Sequence, residues 1–164
     1  MNYSFSDRTG GLSTGAFLSR NLATHVGDDR TTVLANRARL ESDLDLPIQF
    51  MDQVHGKVVA TIDTQIISPP TADALVTQAA GIGLAVMVAD CIPLLLASSQ
   101  TVAAVHVGRK GLMNRVALAA IKEMRSRDTS EITAVVGPSI CGQCYEVSQD
   151  IYEDVSKTFP LAAS

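Results

Sequence analysis

Three side chains of this 164-residue chain offer the donors a borderline-soft metal ion prefers. They are His55 in Gln53-Val54-His55-Gly56, Cys91 in Ala89-Asp90-Cys91-Ile92-Pro93, and His106 in Ala104-Val105-His106-Val107-Gly108. Each stands where a hydrophobic segment ends. Two imidazoles and a thiolate suit zinc, with copper chemically possible and less favoured, and three protein ligands leave the fourth tetrahedral position open, as catalytic sites require. A bound ion would keep Cys91 deprotonated. Asp90 and Asp73 are candidates for orienting a ligand or for serving as a general base. Each residue also has a plainer explanation. A histidine among apolar neighbours is commonly a satisfied core residue, a cysteine a small hydrophobe, and a turn aspartate a cap for backbone N–H groups. A metal-free pairing, with Cys91 as nucleophile and His106 as its base, draws on the same side chains.

The elements that must position these residues follow from patterning. Asp28-Asp29 opens a helix running to about Asp43, with Val33, Ala35, Ala38 and Leu40 among its apolar positions. Ile48 to Met51 and Lys57 to Ile62 predict strands on either side of the His55 turn, and Thr64 to Thr71, with Pro69-Pro70, predicts a loop. Three short apolar runs, Leu84 to Ala89, Ile92 to Ala97 and Val102 to Val107, predict buried strands. A turn at Ser98-Ser99-Gln100 would pair the last two as a hairpin, bringing Cys91 to His106. Apolar residues from Gly111 to Arg127 recur at helical spacing, Glu131 to Val136 predicts a strand, and Ser148 to Thr158 predicts a helix ending before Pro160. This order predicts an α+β fold with a mixed sheet. Gly10-Gly11-Leu12-Ser13-Thr14-Gly15 follows an expected first strand, but it matches neither the dinucleotide-binding nor the Walker pattern. Cys141-Gly142-Gln143-Cys144 has the spacing of half a zinc knuckle or a redox pair, and no second pair lies downstream to complete a knuckle.

Bulk properties narrow the function classes. A length of 164 residues with 46% hydrophobic content predicts a single domain, 1–164, with a sizeable core. A formal net charge of −4 argues against general nucleic-acid binding, and Lys122, Arg125 and Arg127 are read as a solvated helix face. The start, Met1 to Arg8, lacks a secretory pattern, and the longest apolar run, Ile82 to Ala89, is too short to span a bilayer, so a cytoplasmic location without membrane partners is expected. Three cysteines without a signal peptide point to thiols for metal or chemistry rather than a disulfide framework.

Several longer words, taken together and in order, resemble a known family. They are Ser6-Asp7-Arg8-Thr9-Gly10-Gly11-Leu12-Ser13, Asn21 to Asp29, Asn36-Arg37, Gln53-Val54-His55-Gly56, Ala72 to Thr77, Ala89 to Leu96, and Gly137-Pro138-Ser139-Ile140 through Cys144-Tyr145-Glu146-Val147. The chain is similar in these to the bacterial polyphenol oxidase or laccase-domain (YfiH-like) family, also described as purine nucleoside phosphorylase. The resemblance implies a layered α/β/β/α fold with mixed sheets, like that of cytotoxic necrotizing factor catalytic domains. It also implies zinc on His55, Cys91 and His106. The implied chemistry is phosphorolysis of adenosine, inosine, guanosine and methylthioadenosine, together with deamination of adenosine, so the small-molecule partners are a purine nucleoside and phosphate. Within it Cys91, His106 and Asp90 are the expected catalytic residues, and Arg8, Arg109 and Lys110 are candidates for holding phosphate. Phenol oxidation by several coppers is not expected, because three histidines and one well-placed thiol supply too few ligands. The chain reads His106-Val107-Gly108-Arg109-Lys110-Gly111 where the family usually has His-Ala-Gly-Trp-Arg-Gly. Family members also continue well past the Glu146-Val147 word, so the resemblance implies that the C-terminal part of the fold is missing. A non-catalytic zinc-binding remnant is therefore a competing expectation.

Overall fold

Side-chain alternation across two strands sets the architecture. The computed structural model describes residues 2–163. In it β1 (Ile48–Gln49) pairs in parallel with β4 (Gly83–Leu84) as a small separate sheet. A larger sheet is ordered β2 (Val59–Thr61), β3 (Ala74–Thr77), β6 (Val102–Val107), β5 (Ile92–Ala97), β7 (Thr133–Val136). The β2–β3 pair is parallel and the remaining pairs are antiparallel, so the sheet is mixed and the fold is α+β, as expected.

Ala74 and Val76 of β3 and Ala103, Val105 and Val107 of β6 pack on Val116, Ala120 and Met124 of the helix Val116–Arg127. Leu75, on the opposite face of β3, joins Met51, Ile62 and Ala72, with Leu84 of β4 against them. The helix Arg30–Leu44 adds Leu40 to Ile48 and Phe50 beyond that. These clusters stack helix, large sheet, small sheet and helix. His106 is out of phase with Val105 and Val107, so it points away from the Val116–Arg127 helix, to the side that Leu75 faces.

The helix α1 (Arg30–Leu44) starts where Asp29 accepts from the backbone N–H of Thr32 at 2.8 Å. Its buried positions are Val33, Asn36 and Leu40. Asn36 was not among the expected core residues. It accepts from Leu12 N–H and donates to Ser13 Oγ and to the carbonyls of Ser19 and Asn21, pinning the N-terminal loop to α1. Asn36→Ala removes a fully buried side chain that makes four hydrogen bonds, one of them to the buried hydroxyl of Ser13, and a loss of about 1–3 kcal/mol in urea denaturation is expected.

Three expectations need correction, and one strand is missed by the patterning. Among the described residues no strand precedes Gly10, because that segment spends its polar groups on the facing loop: the Arg8 carbonyl accepts from the N–H groups of Ser19 and Arg20. The predicted strand Leu84 to Ala89 pairs only through Leu84, and beyond Ala85 the side chain of Gln53 replaces a neighbouring strand, exchanging two hydrogen bonds with Met87. The predicted helix from Gly111 to Arg127 is two helices, α2 (Arg109–Met113) and α3 (Val116–Arg127), separated at Arg115, whose φ of 60° is left-handed. Finally, β3 lies beside the central strand β6, yet its residues stand out in the sequence only within a family word and carry no strand pattern of their own. The last helix, α4 (Gln149–Thr158), follows Ser148 as expected. Among the described residues no helix is long and apolar enough to cross a membrane.

Candidate metal centre

The β5–β6 hairpin forms in the expected place, with Pro93 opposite His106 and Ile92 opposite Val107. Cys91 directly precedes β5 and so lies beside the end of β6. His55 enters from the loop before β2 with a left-handed φ of 59°. The result is a convergence of His55, Cys91 and His106, whose ligand atoms all lie within 4.8 Å of one another. His55 Nε2 is 4.0 Å from Cys91 Sγ, and the two imidazole rings meet edge to face with centroids 4.6 Å apart. Ligands around a tetrahedral zinc stand about 3.3–3.6 Å apart, given its usual bond lengths, so a contraction of less than about 1.5 Å would close the trio on one ion. No fourth His, Cys, Asp or Glu among the described residues joins the cluster. The donor set therefore fits a single ion with an open position.

Asp73 joins two of the three ligands. It is fully buried just ahead of β3, and its Oδ1 accepts from His106 Nδ1 at 2.8 Å. The same carboxylate accepts from the backbone N–H groups of His55 at 2.8 Å, Gly56 at 2.7 Å and Val54 at 3.3 Å. Burial alone would raise this carboxyl group, but the His106 bond and the three backbone bonds outweigh it and hold it below the ordinary aspartate value. An ionised Asp73 requires the proton of His106 on Nδ1, which leaves the Nε2 lone pair for a metal. One carboxylate thus sets the tautomer of His106 and the backbone of the His55 turn.

Gly108 makes the close approach possible. A Cβ at this buried position would lie 2.9 Å from both Cys91 Sγ and His55 Cδ2. Its φ of −79° is open to any residue, so the requirement for glycine is one of space and not of backbone conformation. Gly108→Ala is expected to leave the folded baseline intact while weakening metal binding by at least about 10-fold, read by competitive titration with a chromogenic chelator. Sequence reasoning passed over Gly108 as a site residue. Its signal was a glycine two residues after a candidate ligand.

The thiol of Cys91 is half-buried, and desolvation, followed by the charges of Asp90 and Asp73, pushes it above the ordinary cysteine value. A cation among the three ligands would reverse that balance and favour the thiolate. Asp90 is exposed beside it, its carbonyl accepting from Ile140 N–H. Arg109 and Lys110 are the first two residues of α2, immediately after Gly108. Arg8 directs Nε and Nη2 to the Leu18 carbonyl at 2.9 and 2.7 Å, which ties the N-terminal loop together.

Residues 2–164 match the family described as multi-copper polyphenol oxidoreductase laccase. The chain belongs to that family. Among laccase-family relatives, the purine nucleoside phosphorylase ORF3 of Streptomyces griseus is 40% identical over 169 residues, covering 97% of this chain and 69% of its own length. The adenosine deaminase RL5 of an unknown prokaryotic organism is 35% identical over 158 residues, covering 87% and 60%. A crystal structure of a Neisseria meningitidis protein superposes with a TM-score of 0.87 at 36% identity, covering 95% of this chain and 65% of that one. The chain thus spans about two thirds of the length of these laccase-family proteins.

Proposed function

We propose that this chain is a zinc-dependent purine nucleoside enzyme. In this reading it phosphorolyses adenosine, inosine, guanosine and methylthioadenosine and deaminates adenosine, with residues 1–164 acting as one domain. The observation that carries the proposal is the convergence of His55, Cys91 and His106 with no fourth ligand among the described residues, in a family whose members bear the names purine nucleoside phosphorylase and adenosine deaminase. Zinc is preferred to copper because one thiolate and two imidazoles form a single borderline-soft site. When bound, the ion supplies Lewis acidity at its open position, polarising an oxygen of substrate or water.

The chain's own groups supply the rest. Asp73 fixes His106 with Nε2 directed into the cluster. In this reading Asp90, exposed and adjacent to Cys91 in the chain, accepts a proton from the attacking oxygen and returns it to the purine ring. In this reading Arg109 and Lys110, which follow Gly108 directly, are the cationic groups that hold phosphate. The metal-free reading, with Cys91 activated by His106, fits less well. The Cys91 thiol is shifted away from ionisation, and its hydrogen-bonding neighbour is His55, not His106.

Incubation of zinc-loaded protein with adenosine, followed by chromatography, tests the proposal. Inosine is expected without phosphate, and adenine with ribose 1-phosphate only when phosphate is present. Absence of every product in both conditions would overturn it.

A further inference from the structure

The Cys141-Gly142-Gln143-Cys144 word plays no part in the centre described above. It sits in the loop between β7 and α4, where the Cys141 carbonyl accepts from the N–H groups of Cys144 at 3.0 Å and Tyr145 at 3.1 Å. This closed turn presents two free, exposed thiols with sulfurs 3.0 Å apart. A disulfide bond is about 2.05 Å long, so oxidation needs a shift of roughly 1 Å within one turn. The loop is tethered at its base, where Gly137 N–H donates to the Pro93 carbonyl and Ile140 N–H to that of Asp90, so thiol pairing does not depend on ordering a free segment.

We propose that Cys141 and Cys144 form a dithiol that is reversibly oxidised by thiol–disulfide exchange with a low-molecular-weight disulfide. Cys141 is the attacking sulfur. Its hydrogen bond with Cys144 and the Cys144 backbone N–H favour its thiolate and lower its pKa, while the same pairing raises that of Cys144. The Cys141 thiolate bonds to one sulfur of the external disulfide and expels the other half as a thiolate, which takes up a proton. Cys144 then loses its proton, attacks the Cys141 sulfur of the mixed disulfide and expels the second half. The two cysteines lose two electrons and two protons in total, and the external disulfide is reduced to two thiols.

Equilibration of the full chain with oxidised glutathione, then alkylation under denaturing conditions and peptide mass spectrometry, tests the proposal. The expected result is an internal Cys141–Cys144 disulfide, reversed by dithiothreitol, with Cys91 recovered in alkylated form. Cys144→Ser is expected to accumulate the mixed disulfide on Cys141, and Cys141→Ser to react at least about 10-fold more slowly at Cys144. Both positions lie on an exposed turn, which makes the variants readable without loss of fold. Recovery of both cysteines as alkylated thiols, or a disulfide joining either one to Cys91, would overturn the proposal.

Discussion

Asp73→Ala is expected to cost about 3–5 kcal/mol of stability and to weaken metal binding by a further 10- to 100-fold, to order of magnitude. The first effect arises because the carboxylate is fully buried and accepts four hydrogen bonds. Removing it strands the N–H groups of Val54, His55 and Gly56 and the Nδ1–H of His106 together. The second effect follows from geometry: without its acceptor, His106 is free to change tautomer, and the left-handed turn at His55 loses its anchor. Asp73→Asn separates the two. It preserves volume but turns an NH2 group toward N–H donors, so it should still lose metal affinity with a smaller loss of stability. Urea denaturation of the metal-free protein and a chelator-competition titration give the two numbers independently. Wild-type metal affinity in both variants would show that the ligands are held by other contacts.

Cys91→Ser is expected to have the larger effect on the centre and the smaller effect on the fold. A serine hydroxyl does not replace a thiolate as a zinc ligand, so affinity should fall by more than the roughly 100-fold expected for an outer contact. Cys91 is half-buried at a strand entrance and contributes little to the apolar clusters, so the metal-free variant should melt within a few degrees of the wild type. Zinc at about 100 times its dissociation constant should stabilise the wild type by about 2.7 kcal/mol, and Cys91→Ser by close to nothing at the same concentration. Differential scanning fluorimetry with and without zinc measures this directly. Equal zinc-induced shifts in the two proteins would place the ion elsewhere.

The convergence of the three candidate ligands was legible from residue type and placement, because each stands at the end of an apolar segment, and the β5–β6 hairpin was legible from two such runs separated by a polar turn. The role of Asp73 was only half legible. Its residue type suggested an orienting carboxylate, but its hold on both His55 and His106 depends on β3, a strand of four residues that is too short to announce itself by period. The failure at Leu84 to Ala89 has a related cause. Hydrophobicity suggested a buried strand, whereas the segment is only half-buried to exposed and its hydrogen-bond partner is the Gln53 side chain, supplied from more than 30 residues away. Gly108 was invisible for a different reason. Its function is the space it leaves between Cys91 and His55, and a sequence shows only that a side chain is missing.

X-ray absorption spectroscopy of the zinc-loaded protein, with the zinc content of the same sample, tests the open centre most directly. One zinc per chain is predicted, with two imidazole nitrogens, one sulfur and one light non-protein donor. A shell containing two or more sulfurs, a fourth protein ligand, or no zinc retained by the folded chain would contradict it.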